Sequence, residues 1–208
     1  RAVEYAREVR GRGLARRDRL ATLVLGTAFV ATAVAVALLS HTDRSLSPLL
    51  AASLVVVLAA VSRIEFESGL ASYVPLQLVF VPMLFLAPLG EVPILVACAM
   101  TLATVVSHFQ GRVNIARVPL RLVDSWFCLG PVLVLLAFGE ADPAWSDWPV
   151  YVLALAAQYA FDFASVATHL HFAHRASIRP LLRPFLNTWS VDAALAPLGL
   201  LAAFAAVD

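Results

Sequence analysis

The chain has 208 residues, of which 61% are hydrophobic and 14% are charged, and its mean hydropathy is +0.85. A water-soluble domain carries roughly 25% charged residues, so the composition excludes an ordinary soluble domain and predicts a polytopic α-helical membrane protein. The formal net charge of +1 gives no reason to expect a nucleic-acid partner. All fifteen basic residues are arginine, which excludes a retinal Schiff base or a lysine nucleophile within this sequence.

The first nineteen residues hold seven arginines and predict a short amphipathic helix, broken near Gly11 and Gly13, on the cytoplasmic surface. This juxtamembrane segment, 1–19, is either simply solvated or specific for anionic lipids. Residues 20–208 are expected to form a single transmembrane helical domain. Its apolar runs predict about seven spans, at roughly 20–39, 46–62, 76–89, 92–109, 120–138, 147–174 and 185–207.

Prolines interrupt two of these spans. Pro82 and Pro88 make the third span short and favour a kinked or discontinuous helix, and Gly130–Pro131 predicts a kink in the fifth. Cys98 and Cys128 both lie inside apolar runs, which favours packing over a disulfide.

The segment 63–75 between the second and third spans is the least helical part of the domain. Gly69 and Pro75 punctuate it, and Glu65 and Glu67 flank Phe66 in alternation. This pattern is compatible with a short strand, with a re-entrant loop that forms part of a site, or with an ordinary interfacial loop.

The arginines predict the orientation. Alternating seven spans places fourteen of the fifteen arginines on one side and leaves Arg44 alone on the other. The positive-inside rule makes the arginine-rich side cytoplasmic, in a cell inner (plasma) membrane, with the N-terminus inside. An eighth span is then expected beyond the C-terminus if a cytoplasmic domain follows. Because the first residue is Arg1, we expect the chain to be a fragment.

The sixth span carries the strongest functional signal. Gln158 and Asp162 lie well inside its apolar run and, being four residues apart, share one helix face. A carboxylate at the membrane centre costs ~2.5–3.5 kcal/mol on insertion scales, so Asp162 should face protein or trapped water.

Two further aspartates are expected at a similar depth. Asp124 and Asp192 should lie with Asp162 in the cytoplasmic half of the membrane, where three charged and unpaired carboxylates cannot coexist. Three interpretations stay open: hydrogen bonds between helices, a small-ligand or ion pocket of spans five to seven with the segment 63–75, and a proton or ion pathway. The predicted ligand-binding residues are Glu65, Glu67, Gln77, Arg121, Asp124, Gln158, Asp162 and Asp192.

Metal binding and catalysis receive less support. His171 and His174 share a face of the sixth span and His108 ends another span on the same side, which would permit a metal or haem site, although histidines near headgroups are more often interfacial. The sequence has no HExxH zinc motif, no GxSxG elbow and no phosphate-binding glycine loop. Asp192 stands in SVDAAL, without the glycine-flanked motif of intramembrane aspartyl proteases. We expect no catalytic activity in this chain, and the sequence identifies no cofactor.

Several segments together resemble a known family. RIEFE, YVPLQLVFVPMLFLAPLG, DWPVYVLALAAQYAFDFAS and VDAALAPLGLLAAFAA, within about residues 60–206, resemble the N-terminal membrane region of actinobacterial signalling proteins. In those proteins a helical membrane domain precedes a cytoplasmic HD-GYP phosphodiesterase or GGDEF cyclase domain. The resemblance implies a sensory or regulatory module of cyclic-dinucleotide signalling, without chemistry of its own, although these 208 residues contain no output domain.

The sequence therefore predicts a membrane-embedded sensor whose inner-leaflet pocket around Asp162 binds a small ligand or senses the bilayer and controls a signalling output. The alternative is the substrate-binding membrane component of a transporter. The expected partners are the lipid bilayer, a small-molecule ligand, a cytoplasmic output domain or partner protein, and a second copy of the chain in a homodimer.

Overall fold

The computed structural model describes residues 16–40, 42, 44–64, 66–68, 71–139, 142–174 and 182–207. The side chains of 66–68, 71–73, 116, 174, 183 and 184 lie outside this description. The elements are α1 (Arg16–Leu39), α2 (Pro48–Val61), β1 (Phe66–Ser68), β2 (Ala71–Tyr73), α3 (Gln77–Leu86), α4 (Val92–Phe109), α5 (Val118–Asp124), α6 (Leu129–Phe138), α7 (Trp148–His174) and α8 (Leu182–Val207). Short 3₁₀ turns at Ile115–Arg117, Ser125–Cys128 and Trp145–Asp147 precede α5, α6 and α7.

Five helical segments are long and apolar enough to cross a membrane, at Arg16–Leu39, Val92–Phe109, Val118–Phe138, Trp145–Ala173 and Phe185–Val207. The helices α2 and α3 are equally apolar but shorter. The chain is therefore a helical membrane protein. The predicted boundary at residue 19 falls inside α1, because the helix begins at Arg16 and continues without interruption to Leu39. Residues 1–15 lie outside the described part of the chain.

The segment 63–75 folds back on itself as a small hairpin. β1 pairs with β2 in antiparallel register, with Phe66 opposite Tyr73 and Glu67 opposite Ser72. The hairpin lies directly before α3 and contacts α8 through β2. Pairing of the two strands therefore satisfies backbone N–H and C=O groups that have no partner within a helix.

Helix packing defines one core. α3 packs chiefly against α8, α6 against α7, α2 against α4, and α1 against both α5 and α7. The core contains the fully buried Phe80, which packs edge-on against Phe127 with ring centroids 5.1 Å apart. Phe29 of α1 contacts Trp126 in the same manner at 5.9 Å. These aromatic contacts join the first and central helices to one bundle.

Two glycines allow the closest helix contacts. A Cβ added at Gly130 of α6 would lie 2.4 Å from the carbonyl oxygen of Ala157 in α7, and one at Gly199 of α8 would lie 2.4 Å from the carbonyl oxygen of Gln77 in α3. Small residues at such crossings let two membrane helices pack backbone against backbone. These two contacts set the spacing of the four helices α3, α6, α7 and α8.

The segment 118–138 is not one regular helix. The sequence predicts a kink at Gly130–Pro131, and the structure has its irregular turn at Ser125–Cys128, just before these residues. The physical reason is that Pro131 has no N–H to donate to the carbonyl of Phe127, four residues earlier, so the preceding turn tightens into a 3₁₀ helix.

The connections gather at two ends of the bundle. At one end, Arg44 forms an ion pair with Asp142 at 3.0 Å and Ser40 packs directly against Gly90. At the other end, the guanidinium of Arg63 donates a hydrogen bond to the side-chain oxygen of Gln110. The connections after α1, α3 and α6 therefore share one end, and those after α2 and α4 share the other.

A buried polar contact ties α1 to α7. The Nε2 atom of His169 lies 2.9 Å from the hydroxyl oxygen of Thr22 and 3.2 Å from a carboxylate oxygen of Asp18. Thr22 is fully buried and His169 is 8% exposed, whereas His171 on the same helix is exposed. His169 is thus a structural residue between two helices, although its position near the end of a span is typical of an interfacial histidine.

We expect the substitution His169→Ala to lower the free energy of unfolding by about 2 kcal/mol, because it leaves the half-buried Asp18 and the buried Thr22 without this partner. Titration of the purified protein with sodium dodecyl sulfate in mixed micelles would measure the effect. The exposed His171→Ala is the matched control and should change stability by less than about 0.5 kcal/mol. Equal losses in the two variants would contradict a structural role for the contact.

Candidate functional site: an apolar chamber with a buried glutamine

A partly open chamber of about 350 Å³ lies between α3, α6, α7 and α8. Its walls are almost entirely apolar, and two glutamines, Gln77 and Gln158, supply the side-chain amides. The chamber extends to Trp145 and Trp148 at the end of the bundle where Arg44 pairs with Asp142. Both tryptophans are about 60% exposed, at 63% and 62%, so the chamber has its mouth beside them. Volumes of roughly 300–1,000 Å³ with few polar groups are typical of small-molecule sites.

Gln77 is the unusual residue of this chamber. Its side chain is 1% exposed, and its Oε1 atom is buried without a hydrogen-bond partner among the described residues. An unsatisfied buried acceptor costs about 1–3 kcal/mol relative to a paired one. The chamber wall therefore contains one unpaired acceptor, which the surrounding atoms cover from the open space of the chamber.

The fold places Gln77 by two local features. Gln77 is the first residue of α3, where the chain leaves the hairpin through Val74 and Pro75. The close approach of Gly199 to its carbonyl oxygen fixes the backbone of Gln77 against α8. Gly130 does the same for Gln158, because its Cα faces the peptide between Ala157 and Gln158. Both glutamines therefore sit on rigid helix crossings.

An aromatic cluster lies one helical turn beyond Gln158 on α7. Tyr159 stacks on Trp189 of α8 with ring centroids 5.0 Å apart and donates its hydroxyl to the carbonyl of Trp189 at 2.8 Å. Phe163 and Phe185 pack edge-on against the same tryptophan. Trp189 in turn donates its indole N–H toward the carboxylate of Asp162 at 3.5 Å. The cluster therefore shields Asp162 from hydrocarbon.

The three membrane aspartates have different surroundings. Asp162 lies within electrostatic range of both Asp124 and Asp192. Asp124 accepts a hydrogen bond from Arg121, three residues earlier on α5, at 3.2 Å. Asp162 and Asp192 are partly buried and neither lines the chamber. The two acids thus lie next to the chamber rather than inside it. Asp162 is one turn beyond Gln158 on α7, and Asp192 directly precedes Ala193 of α8.

The predicted ligand-binding residues divide between two places. Gln77 and Gln158 line the apolar chamber. Arg121 and Asp124 line a separate cavity, at the end of the bundle where Arg63 contacts Gln110. Glu65 and the side chain of Glu67 lie outside the described residues. A single pocket with all eight residues on its wall stays a prediction, because the side chains of two of the eight lie outside the described part of the chain.

The histidines of the proposed metal site have local partners. The Nδ1 atom of His108 lies 3.0 Å from the carbonyl oxygen of Val113, and His171 packs edge-on against Phe172. The side chain of His174 is outside the description. Within the described ranges, no three His, Cys, Asp or Glu residues are grouped to hold a metal ion.

Sequence reasoning missed most of the chamber wall. Trp148, Tyr151, Ala196 and Pro197 face one another from α7 and α8, but each looks like an ordinary residue of an apolar helix. The exposed tryptophans were the available signal, because Trp145 and Trp148 mark an interface in the sequence. Comparisons of the chain with protein families, with curated proteins and with solved structures found no match.

Proposed function

We propose that this protein is a membrane-embedded sensory or regulatory module that binds a small, largely apolar molecule carrying one hydrogen-bond donor. The observation that carries the proposal is the buried, unpaired Oε1 atom of Gln77 on the wall of an otherwise apolar chamber. Once the Gln77 amide rotates toward the chamber, a hydroxyl or N–H group of a ligand would satisfy that acceptor, and the apolar wall would bind the rest. The donor requirement gives the site its selectivity.

The topology that goes with this function has seven spans and a cytoplasmic N-terminus. In it, α2 and α3 cross the bundle despite their length, since the connections alternate between two ends. Arg63 and Gln110 then mark the cytoplasmic end, and the mouth beside Trp148 opens toward the outer leaflet. Ligand would enter from the bilayer or from the outer interface.

A signal would pass along α7 and α8. Gln158 touches the chamber, and Asp162, one turn further toward the cytoplasmic end, faces Trp189 and is electrostatically coupled to Asp192. When both acids are ionised, their mutual repulsion opposes close packing of α7 and α8, while the aromatic cluster favours it. A ligand that changes the helix spacing would shift this balance and bias a cytoplasmic output domain, a partner protein or a homodimer.

The direct test uses two probes that differ in a single donor, 4-butylphenol and 4-butylanisole. We expect the unsubstituted protein to bind the phenol about tenfold more tightly than the anisole, the value of one good hydrogen bond. Quenching of tryptophan fluorescence by the probes, with Trp145 and Trp148 in the wall, would measure both affinities. In Gln77→Leu the preference for the phenol should disappear.

The same substitution has a second expected effect. Because leucine removes an unsatisfied buried acceptor and keeps a side chain of similar size, Gln77→Leu should raise the free energy of unfolding of the empty protein by about 1–2 kcal/mol. Gln110→Leu, which changes an exposed glutamine outside the chamber, is the matched control. Equal binding of both probes by the unsubstituted protein, or a phenol preference that survives in Gln77→Leu, would exclude the proposed site.

A transporter component is the second candidate. The mouth beside Trp148 supports it, since a substrate-binding subunit also needs outward access. Vesicles containing the protein would then accumulate 4-butylphenol against a gradient, and Asp162→Asn would abolish the accumulation. Binding without accumulation favours the sensor.

A further inference from the structure

A second cavity, of about 510 Å³, lies where the end of α2, the last turns of α4 and the start of α5 meet. Four arginines line it, and they come from three different parts of the chain: Arg63, Arg112, Arg117 and Arg121. Asp124 is the one acid among the described residues on its wall. With Asp124 ionised, the lining carries a net charge of +3.

Arg63 is the clearest donor in this cavity. It follows α2 directly, and its terminal nitrogen donates to Gln110, a neutral acceptor. Its Nε atom is buried and makes no hydrogen bond within the part of the chain that the structure describes. Leaving a donor of a charged group unpaired costs more than leaving a neutral one. Because Nε is covered by the surrounding protein, an anion in the cavity would meet the terminal nitrogens of this guanidinium rather than Nε.

The hydroxyl groups of the wall and the side chain of Arg121 already donate to protein acceptors. The hydroxyls of Ser62, Thr104 and Ser107 donate to the carbonyls of Ala59, Met100 and Ala103 in their own helices, at 2.9, 2.9 and 2.8 Å. Arg121 donates to Asp124 at 3.2 Å. Any anion in the cavity would therefore be bound by guanidinium groups.

Favourable interactions of the four arginines with helix ends do not by themselves explain why all four surround one cavity. Arginines after α2 and α4 complement the partial negative charge at the C-termini of these helices. That effect accounts for Arg63 and Arg112, which follow helix ends, and for Arg121 in the last turn of α5. Arg117 directly precedes α5, where the helix end is positive, so the effect does not account for it. Four like charges around one cavity favour a shared counter-charge.

We propose that this cavity is a binding site for a phosphate-bearing anion, held by Arg63, Arg112 and Arg121. The guanidinium group is planar and presents paired N–H donors that match phosphate oxygens. In the proposed topology the cavity opens at the cytoplasmic headgroup level, where a free phosphate compound and an anionic lipid headgroup offer the same chemistry. This site is separate from the apolar chamber, and its test is independent of the chamber's ligand.

The experiment compares two sources of phosphate in purified protein in dodecylmaltoside. Inorganic phosphate is titrated against sodium chloride at matched ionic strength, and dihexanoyl phosphatidylglycerol against dihexanoyl phosphatidylcholine, with the unfolding temperature as the readout. We expect a saturable rise with at least one phosphate probe over its control. A rise with inorganic phosphate assigns a soluble anion, and a rise with phosphatidylglycerol alone assigns a lipid headgroup. No rise with either overturns the proposal.

Variants locate the effect. Arg63→Gln and Arg112→Gln should each weaken binding of the effective probe about tenfold, as expected for one charge-assisted hydrogen bond. Arg44→Gln, at the opposite end of the bundle, is the matched control and should bind as the unsubstituted protein does. Because Arg112 is exposed at the rim, Arg112→Gln keeps the test valid even where Arg63→Gln does not fold. Equal weakening in all three variants would mean a general charge effect and would overturn the site.

A final arm addresses the two glutamates of the segment 63–75. If Glu65 and Glu67 occupied the arginines, the unsubstituted protein would not respond to phosphate, and the double variant Glu65→Gln/Glu67→Gln would respond. That pair of results would assign the arginines to an internal ion-pair network and overturn the proposal.

Discussion

The substitution Gly130→Ala is expected to destabilise the protein by about 3 kcal/mol, at the upper end of what overpacking usually costs. The added Cβ would lie 2.4 Å from the carbonyl oxygen of Ala157, 2.5 Å from its carbonyl carbon and 2.7 Å from the amide nitrogen of Gln158. All three atoms belong to the backbone of α7, so no side chain can rotate away. The helices α6 and α7 must move apart, and this loss exceeds the gain of about 1 kcal/mol in helix propensity.

Gly26→Ala is the matched control for this prediction. A Cβ at Gly26 in α1 would lie 3.4 Å from the carbonyl oxygen of Pro119 and 3.5 Å from the side chain of Leu122, which is ordinary contact. It should leave the free energy of unfolding unchanged or raise it by up to about 1 kcal/mol. Titration with sodium dodecyl sulfate measures both variants, and an unchanged stability in Gly130→Ala would show that α6 and α7 are not packed as closely as described.

The same variant also tests the chamber. Pro131 and Leu135 of α6 and Leu155 and Gln158 of α7 face each other across it, so separating the two helices changes its width. We therefore expect Gly130→Ala to reduce the preference for 4-butylphenol as well. Stability and binding should fall together here, whereas in Gln77→Leu stability should rise while selectivity is lost.

Trp189→Ala is expected to cost about 3 kcal/mol of unfolding free energy and to separate α7 from α8. Trp189 stacks on Tyr159 and contacts Phe163 and Phe185, and its indole N–H points to the carboxylate of Asp162. α7 and α8 make few other contacts, so this cluster is the main connection between them. Removing the indole leaves a void and takes away a donor that faces Asp162.

Trp189→Phe divides the effect into its two parts. Phenylalanine keeps most of the ring packing and removes the indole N–H, so it should cost less than half as much as Trp189→Ala. Phe138→Ala, an aromatic truncation at an exposed position of α6, is the control and should have little effect. Equal losses in Trp189→Phe and Trp189→Ala would place the whole energy in the hydrogen bond and contradict a packing role.

The pattern of local properties predicted several features well. The length and apolarity of the runs predicted helices that can cross a membrane, and the structure has five of sufficient length with two shorter ones. The alternation at Glu65–Glu67 made a strand one of the possibilities for a segment that forms a hairpin. The four-residue spacing of Gln158 and Asp162 placed both on one face of α7, where Gln158 lines the chamber and Asp162 meets Trp189 of α8.

The composition of the candidate sites could be predicted only in part, because the predicted set did not show which of its residues share a cavity. Gln77 was one polar residue in a short span, and only the crossing of α3 with α8 at Gly199 reveals that it is buried and unpaired beside Gln158. Arg63 and Arg112 were counted only as positive-inside residues, while Arg121 was also a predicted ligand-binding residue. Only the packing of α4 against both α2 and α5 gathers the three around one cavity. Nothing in the local sequence distinguishes His169 from His171, although His169 contacts Asp18 and Thr22 of a distant helix.

The sequence by itself determined that this is a helical membrane protein with its arginines segregated to one set of connections, because length, apolarity and charge are local properties. Tertiary structure decided which helix faces meet, and therefore where the chamber and the arginine cavity lie. The physical reason is that these helices are apolar on nearly every side, so that no polar stripe marks the face that packs. The small residues and prolines that fix the crossings act only when a second helix is in place.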